Sequence, residues 1–314
     1  MDKDTIKRLI IEYQQFVANI TLIEREIHLS HQLNYVFVGL RRAGKSYLMY
    51  QQIQSLLNDG HQPEEILYFN FEDDRLVNLT VEDLDLIKVS YEELYPHKPI
   101  FFLDEIQIVE HWEKFARRLA DQQYRVYITG SNAKMLSAEI ATTLGGRYIV
   151  QNVYPFSFSE FLKASKIEIG PTWYYKNRTE IVRTFSDYFS YGGLPELMLI
   201  ETIEKRQWLS NLFNKIFFGD LITRYSIRND LAMKVLIRKL AESVKQPSSF
   251  NRLTNIVSTT GAKVSTDTII DYLNFLQATW LFFSLENYAS KLVEKISNRK
   301  YYFIDNGLLN LFLS

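Results

Sequence analysis

The chain has 314 residues, of which 46% are hydrophobic and 23% are charged, and its formal net charge is −1. These proportions are typical of a globular protein, and the length allows more than one domain. The absence of cysteine excludes disulfides, thiol chemistry and cysteine-ligated zinc. The charged start MDKDTIKRLI is unlike a signal peptide, and no apolar run approaches the ~18 residues of a membrane span, so we expect a cytoplasmic protein with no membrane partner.

The charge is unevenly distributed along the chain. Residues 1–150 carry a net charge of −6, and residues 151–314 carry a net charge of +5. A modest basic excess is typical of a solvated surface, and weak nucleic-acid binding would leave the same pattern. Charge alone leaves both interpretations open.

The first motif is the segment GLRRAGKS at Gly39–Ser46. It fits the phosphate-loop pattern G-x-x-x-x-G-K-[ST], and its flanks have the order that the motif requires. The apolar run Tyr35–Val38 before it predicts a buried parallel strand, and Tyr47–Leu57 after it has helical spacing. A glycine turn formed by chance would not explain why Lys and Ser follow the second glycine directly.

Strand, loop and helix in this order predict a site for nucleotide phosphates. The loop amides and the positive end of the helix would converge on phosphate oxygens. Lys45 would reach the outer phosphates, and the Ser46 hydroxyl would be a ligand of Mg²⁺. The residues predicted to bind the nucleotide are Gly39, Arg41, Arg42, Ala43, Gly44, Lys45, Ser46 and Tyr47.

The next apolar run, ILYFNF at residues 66–71, is interrupted by Asn70. A buried amide needs hydrogen-bond partners. Two partners for Asn70 remain open. One is Glu105, which Asn70 would hold away from water, and the other is nearby backbone.

A third apolar run ends in two carboxylates. The segment PIFFLDEIQ predicts a buried strand with Asp104 and Glu105 at its C-terminal end, where ligands bind in open α/β sheets. Asp104 is placed to hold Mg²⁺, and Glu105 is placed to act as the general base that orients a water against the γ-phosphate. An acidic pair at a strand end is often only a turn, but here it follows a phosphate loop. The sequence therefore predicts a nucleotide site.

A fourth run, Tyr124–Ile128, continues into Thr-Gly-Ser-Asn. At this strand end, Ser131 or Asn132 could contact the γ-phosphate or the attacking water. Ser and Asn also favour turns and helix caps, which is the alternative explanation.

These segments resemble the AAA+-like P-loop ATPases of bacteria and archaea, in particular a prokaryotic group whose AAA domain precedes a C-terminal domain of unknown function. The resemblance implies an α/β fold, with a P-loop NTPase parallel sheet and flanking helices. It also implies that Asp104 and Glu105 form the magnesium and water site and that Thr-Gly-Ser-Asn is the first sensor. The segments that carry it span nearly the whole chain: GLRRAGKS, YFNFEDDRL, FFLDEIQ, YITGSNAKML, GGRYIVQNVYPFSFSEF, YGGLPE, DLITRYSIRN and KYYFIDNGLL.

The resemblance also singles out Arg147, which follows two glycines after the sensor-like strand. It implies an arginine that senses the γ-phosphate in cis, or one that acts in trans on a neighbouring copy in a homo-oligomer. An ordinary surface arginine is the other interpretation. Family members often continue beyond DNGLL with acidic residues, whereas this sequence stops at Ser314, so we expect either a truncated chain or a protein without that module.

The second half reads as mainly helical after about Phe161. Helical patterns over Asp230–Lys245, Phe250–Val257 and Ser265–Ala278 precede two strand-like runs, an order typical of a winged helix. The predicted domains are a P-loop ATPase core at 1–160, a helical lid or linker at 161–228, and a winged-helix-like domain at 229–314.

A winged helix can bind DNA through its last helix. Yet Ser265–Ala278 contains Asp267 and Asp271 and neither Lys nor Arg, which makes it a poor surface for phosphates. Packing or a protein contact is therefore slightly favoured over DNA binding.

The favoured function is an ATPase that hydrolyses ATP with Mg²⁺ to drive or switch its C-terminal domain. The alternative is a nucleotide-dependent regulatory switch, with slow or no turnover, that binds DNA or a protein partner through the winged helix. A P-loop kinase is disfavoured because the adjacent carboxylates favour water as the acceptor. No guanine-reading Asn-Lys-x-Asp occurs, which favours ATP. The expected catalytic residues are Lys45, Glu105, Arg147 and Asn132, and the expected metal ligands are Ser46 and Asp104.

Overall fold

The chain divides into two units. The structure is a computed structural model that describes residues 2–76, 79–130, 142–167, 170–286, 288 and 298–313. Unit 1 comprises Met1–Gly39 and Gly44–Val153, and unit 2 comprises Leu40–Ala43 and Tyr154–Ser314. Four residues of the predicted phosphate loop thus belong to unit 2 by their contacts. The predicted three-part division of the chain stays a prediction.

Unit 1 is built on a five-stranded parallel sheet with helices against it, as the sequence predicts. The sheet order is β2-β3-β4-β1-β5. The strands are β1 (Asn34–Val38), β2 (Ile66–Asn70), β3 (Ile100–Asp104), β4 (Arg125–Gly130) and β5 (Tyr148–Asn152). The helices are α1 (Lys3–Asn19), α2 (Lys45–Asn58), α3 (Val81–Leu94) and α4 (Trp112–Asp121), with 3₁₀ turns at Pro63–Glu65 and Ile106–Ile108.

The register of this sheet places the candidate residues at one edge. Asn70 at the end of β2 lies opposite Asp104 at the end of β3, and Val38 at the end of β1 lies opposite Gly130 of β4. β3 is buried along its whole length, which explains its continuous apolar run. The carboxyl ends of parallel strands share one edge, so the ends of β1, β3 and β4 lie on the same side of the sheet.

Unit 2 is mainly helical, with a small antiparallel sheet in the order β6-β8-β7. Its later elements alternate as helix, short strand, helix, helix and two strands, and the winged-helix interpretation of that order stays a prediction. The helices are α5 (Phe158–Ala164), α6 (Trp173–Lys176), α7 (Arg178–Tyr191), α8 (Thr202–Lys215), α9 (Asp230–Glu242), α10 (Phe250–Thr259), α11 (Thr266–Ala278) and α12 (Asn306–Leu313). The strands are β6 (Ser248–Ser249), β7 (Phe282–Leu285) and β8 (Asn298–Phe303), and the remaining elements are a 3₁₀ helix at Pro195–Leu199 and a π-helix at Ile216–Thr223. In the described parts of the chain, no helix is both long and apolar enough to span a membrane.

A buried carboxylate joins two distant segments of unit 2. Asp305, only 5% exposed, accepts hydrogen bonds from the backbone amides of Gly193 (2.8 Å) and Gly307 (2.9 Å). Gly192 has a φ of 84°, and a Cβ there would lie 2.0 Å from an Asp305 oxygen. The glycines of YGGLPE and the Asp of FIDNGLL therefore belong to one packing arrangement, in which a larger residue at Gly192 does not fit.

Burial raises the pKa of Asp305 from its ordinary 3.8 to about 6, although three backbone amides bond to it. Around and between these values the folded state binds more protons than the unfolded state, so the unfolding free energy falls as the pH rises from below 4 to about 7. One pKa unit is worth about 1.4 kcal/mol, so the full loss is about 3 kcal/mol, of which about 2 kcal/mol falls between pH 4 and pH 7.

The variant Asp305→Asn cannot titrate at this position. In urea denaturation, the unfolding free energy of wild type minus that of Asp305→Asn should be about 2 kcal/mol larger at pH 4 than at pH 7. An equal difference at the two pH values would show that Asp305 does not titrate in this range.

Candidate functional site

Two glycines frame the start of the site in unit 1. Gly39 follows β1, and a Cβ there would lie 2.1 Å from the carbonyl oxygen of Val153, so no larger side chain fits. Val153 is held in place because its amide donates to the Val38 carbonyl at 2.7 Å. Gly44 is the N-cap of α2 in the left-handed region, with a φ of 95°. Helix N-termini lack intrahelical acceptors for their first N–H groups, and phosphate oxygens suit them.

The two polar residues that open α2 are Lys45 and Ser46. Lys45 is 5% exposed, and its Nζ donates to the Gly39 carbonyl at 3.3 Å. The Ser46 hydroxyl makes a hydrogen bond to the carboxylate of Asp104. Lys45, predicted to bind phosphate, is therefore next to Ser46, and Ser46 meets Asp104. Ser46 and Asp104 are the two predicted Mg²⁺ ligands, although they are far apart in sequence.

Asp104 is a buried carboxylate surrounded by hydroxyl groups. It is 2% exposed, and burial raises its pKa above the ordinary value. The Tyr68 hydroxyl donates to Oδ2 at 2.7 Å, and the Thr129 hydroxyl donates to Oδ1. These bonds and the one from Ser46 favour the charged form, and they work against the desolvation.

Glu105 is held in an uncommon backbone conformation. Its φ is 57°, in the left-handed region, where a residue other than glycine is strained. Its buried N–H donates to the Thr129 hydroxyl at 2.9 Å, and its side chain accepts a hydrogen bond from the Gln107 amide. Thr129 thus bonds to both members of the acidic pair, and it fixes the turn on which Glu105 stands.

Sequence reasoning did not predict the hydrogen bonds that Tyr68 and Thr129 make to Asp104. Thr129 is fully buried, and Tyr68 continues a buried hydrogen-bond chain to the hydroxyl of Tyr50 at 3.0 Å. Burial and nearby Asp104 raise the pKa of Tyr68 well above its ordinary value, so it acts as a donor. A tyrosine within a buried apolar strand needs a hydrogen-bond partner for its hydroxyl. That requirement is the feature of the sequence from which the role of Tyr68 could have been predicted. Asn70 accepts from the backbone amide of Glu72 at 2.9 Å, which is the local-backbone alternative.

The other residues of the loop and the start of α2 have side chains that contact protein groups. Leu40 and Ala43 are buried in the core of unit 2, and the side chains of Arg41 and Arg42 pair with unit 2 carboxylates. Tyr47 in α2 is half exposed and packs against the ring of Tyr50. The predicted nucleotide contacts of these residues stay predictions.

The two residues predicted to sense the nucleotide are Arg147 and Asn132. Arg147 donates to Asp121 through Nε and to the Gly145 carbonyl at 3.3 Å, and its side chain is 32% exposed. Its proposed action on phosphate stays a prediction. Asn132 lies outside the described residues, as does Ser131.

Comparison with known proteins places this geometry in a family. The sequence model of an AAA domain matches residues 31–162, and a model of a domain of unknown function matches residues 182–314. An uncharacterized protein of Methanocaldococcus jannaschii is 33% identical over 316 residues, which cover 99% of this chain and 70% of that protein. A second uncharacterized protein, from Haemophilus influenzae, is 32% identical and covers 91% of this chain and 72% of that protein. The chain belongs to the AAA-type P-loop ATPase family.

A solved structure supports the same fold for this AAA-type ATPase. The Walker-type ATPase of Pyrococcus abyssi has a TM-score of 0.54 at 11% identity, with 100% of this chain and 96% of that chain covered. At this identity the likeness concerns the fold alone. The family and the phosphate loop together make this a nucleotide-binding domain.

The role of Thr129 leads to a stability prediction. Thr129→Val keeps the shape of the side chain but leaves the Glu105 N–H without its acceptor, so it should lower the unfolding free energy by about 1–3 kcal/mol. Thr129→Ser keeps the hydroxyl and removes one methyl group, which should cost about 1 kcal/mol or less. Urea denaturation measures both. Equal losses in the two variants would mean that the hydroxyl is unimportant.

Proposed function

We propose that this AAA-type ATPase binds ATP with Mg²⁺ at the loop Gly39–Ser46 and hydrolyses it to drive or switch its C-terminal domain. The observation that carries the proposal is the convergence of Lys45, the Ser46 hydroxyl and Asp104 at the start of α2. A lysine suited to phosphate thus opens the same helix as one of two oxygen groups suited to a metal. Those are the groups that phosphoryl transfer with Mg²⁺ requires.

The donor set fits Mg²⁺ that arrives with a nucleotide. Ser46 and Asp104 supply oxygen atoms, which hard cations prefer. Among the described residues, no group of three or more His, Asp or Glu side chains could hold a metal ion. We therefore propose that phosphate oxygens complete the coordination. The bound metal would draw charge from the phosphate oxygens that it contacts.

The remaining side chains of the site would have separate roles in binding and hydrolysis. Lys45 would neutralise charge on the outer phosphates, and the first-turn amides of α2 would fix their position. Glu105 would accept the proton of the attacking water as general base, because it directly follows Asp104 at the strand end. Tyr68 and Thr129 would hold Asp104 still while the nucleotide exchanges.

A regulatory switch with slow turnover is the second candidate, and one contact favours it. The Gln107 amide donates to a carboxylate oxygen of Glu105. This bond engages one of the two carboxylate oxygens, so a water would reach Glu105 through the other oxygen or after the Gln107 bond breaks. In the second case, release of Glu105 from Gln107 would limit the rate.

We favour a protein partner over DNA for the C-terminal domain. On α9, Lys234 pairs with Asp230, and both Arg238 and Lys239 pair with Glu242. Neighbouring carboxylates weaken the positive field that phosphate binding needs. The basic excess of this half of the chain therefore gives little support to DNA binding.

Lys45→Ala tests the phosphate loop. Binding of ATP with Mg²⁺, measured by calorimetry, should disappear, because the loop lysine that is proposed to neutralise the outer phosphates is lost. The matched control is Lys114→Ala, a lysine of α4. Wild-type affinity in Lys45→Ala would remove the basis of the proposal.

The acidic pair should separate binding from chemistry. Glu105→Gln should keep ATP affinity and slow phosphate release by ~100-fold or more, the usual scale for the loss of a general base. Asp104→Asn should weaken binding that depends on Mg²⁺. Small and equal effects of the two changes on steady-state turnover would identify the pair as a structural turn.

Arg147 is proposed to complete the site of a neighbouring copy, because guanidinium groups suit phosphate oxygens. Arg147→Ala should bind ATP and hydrolyse it poorly, and mixing it with Lys45→Ala protein should restore activity. In the mixture, the intact phosphate loop of one variant would receive arginine from the other. Arg117→Ala is the control, since Arg117 also pairs with Asp121. No recovery would indicate action in cis, and wild-type turnover in Arg147→Ala would indicate a surface arginine.

A further inference from the structure

The middle of the phosphate loop is anchored within unit 2. Leu40 and Ala43 are 1% and 0% exposed, and both belong to the main apolar core of that unit. The Ala43 amide donates to the Leu40 carbonyl at 3.1 Å, which closes a tight turn between the two anchors. The side chains of Arg41 and Arg42 extend from this turn.

Arg41 makes a two-pronged ion pair with Asp220. Its Nε and Nη2 each donate to a different carboxylate oxygen at 3.2 Å. The side chain of Asp220 is 8% exposed, so the pair is largely shielded from water. Bidentate pairs of this kind fix geometry as well as energy.

Asp220 stands on an unusual element with a second cation beside it. It lies in the eight-residue π-helix Ile216–Thr223. Such segments are rare in proteins overall, but those that do occur are often found at functional sites. Arg224 donates to the same carboxylate at 2.9 Å. Loss of Arg41 would therefore leave Asp220 beside a remaining guanidinium, and the carboxylate would not become a buried charge without a cation.

Arg42 adds a second restraint to the same turn. Its φ is 64°, an unfavourable value for a residue other than glycine. Its guanidinium pairs with Glu196 and lies 5.7 Å from the centre of the Trp208 ring. Side-chain contacts in unit 2 therefore hold a strained backbone in the loop.

We propose that Asp220 is a positioning residue for nucleotide binding, which holds Arg41 so that the backbone of Leu40–Ala43 has the shape that phosphate needs. This inference rests on the proposed function. Loop amides bind phosphate well only if their directions are set in advance, because ordering a loop on binding costs affinity. Asp220 sets those directions through Arg41, without itself touching the nucleotide.

The test measures the affinity of the full chain for a non-hydrolysable ATP analogue with Mg²⁺ by calorimetry. Asp220→Asn should weaken binding by about tenfold to a hundredfold, the scale of a displaced binding group. Turnover at saturating ATP should change much less than KM. The control is Asp230→Asn, which removes an exposed carboxylate of unit 2 that pairs with Lys234 at 3.0 Å, and it should bind like wild type.

A double-mutant cycle separates positioning from general damage. Arg41→Ala should weaken binding as Asp220→Asn does, and the double variant should be no weaker than either single variant, because the interaction is already absent. Additive losses would overturn the proposal. Melting temperatures without nucleotide identify a merely structural role, in which stability falls and affinity stays at the wild-type value.

Arg41→Lys covers the case in which Asp220→Asn fails to fold. Lysine keeps the charge but lacks the fork, so its affinity should lie between those of wild type and Arg41→Ala. Wild-type affinity in both Arg41 variants would overturn the proposal. Suppose that wild type binds the analogue and Lys45→Ala does not. Normal binding by Asp220→Asn would then overturn the positioning role and leave the proposed function standing. If wild type does not bind the analogue, both the proposed function and the positioning role fail.

Discussion

The carboxylate of Asp104 depends on hydroxyl groups that three other elements supply. It is almost without access to water, and an ionised group in such a place is costly unless hydrogen bonds replace the lost solvent. Tyr68 from β2, Thr129 from β4 and Ser46 from α2 supply those bonds. The same bonds tie together the strand ends and the helix that frame the phosphate loop. The protein's own hydrogen bonds therefore hold together Ser46 and Asp104, the two side chains proposed as metal ligands.

The phosphate loop is shared between two environments. Gly39 and Gly44 belong to the sheet unit, and the four residues between them are embedded in the helical unit. Within unit 2, burial of Leu40 and Ala43 and the ion pairs of Arg41 and Arg42 hold the middle of the loop. The ion pair of Arg41 with Asp220 is the part of this arrangement that a single substitution can remove.

The sequence predicted the sheet and the phosphate loop because their signals are local. Apolar runs mark buried parallel strands, and the order of strand, loop and helix can be read without tertiary information. Side-chain roles that depend on distant partners could not be read in this way. Thr129 resembles an ordinary strand residue, and the pairing of Arg41 with Asp220 spans 179 positions. The helix predicted over Asp230–Lys245 ends at Glu242. Lys245 has a φ of 73°, and a lysine side chain gives no sign in the sequence that its backbone is left-handed.

The central claim is that Ser46 and Asp104 form, with nucleotide phosphates, one metal site at the start of α2. A crystal structure of the full chain with a non-hydrolysable ATP analogue and Mg²⁺ tests it most directly. The account predicts phosphates against the amides of Gly44–Ser46, with Mg²⁺ bound by the Ser46 hydroxyl and held, directly or through water, by Asp104. An analogue bound elsewhere, or phosphates in the loop with the metal away from both residues, would contradict it.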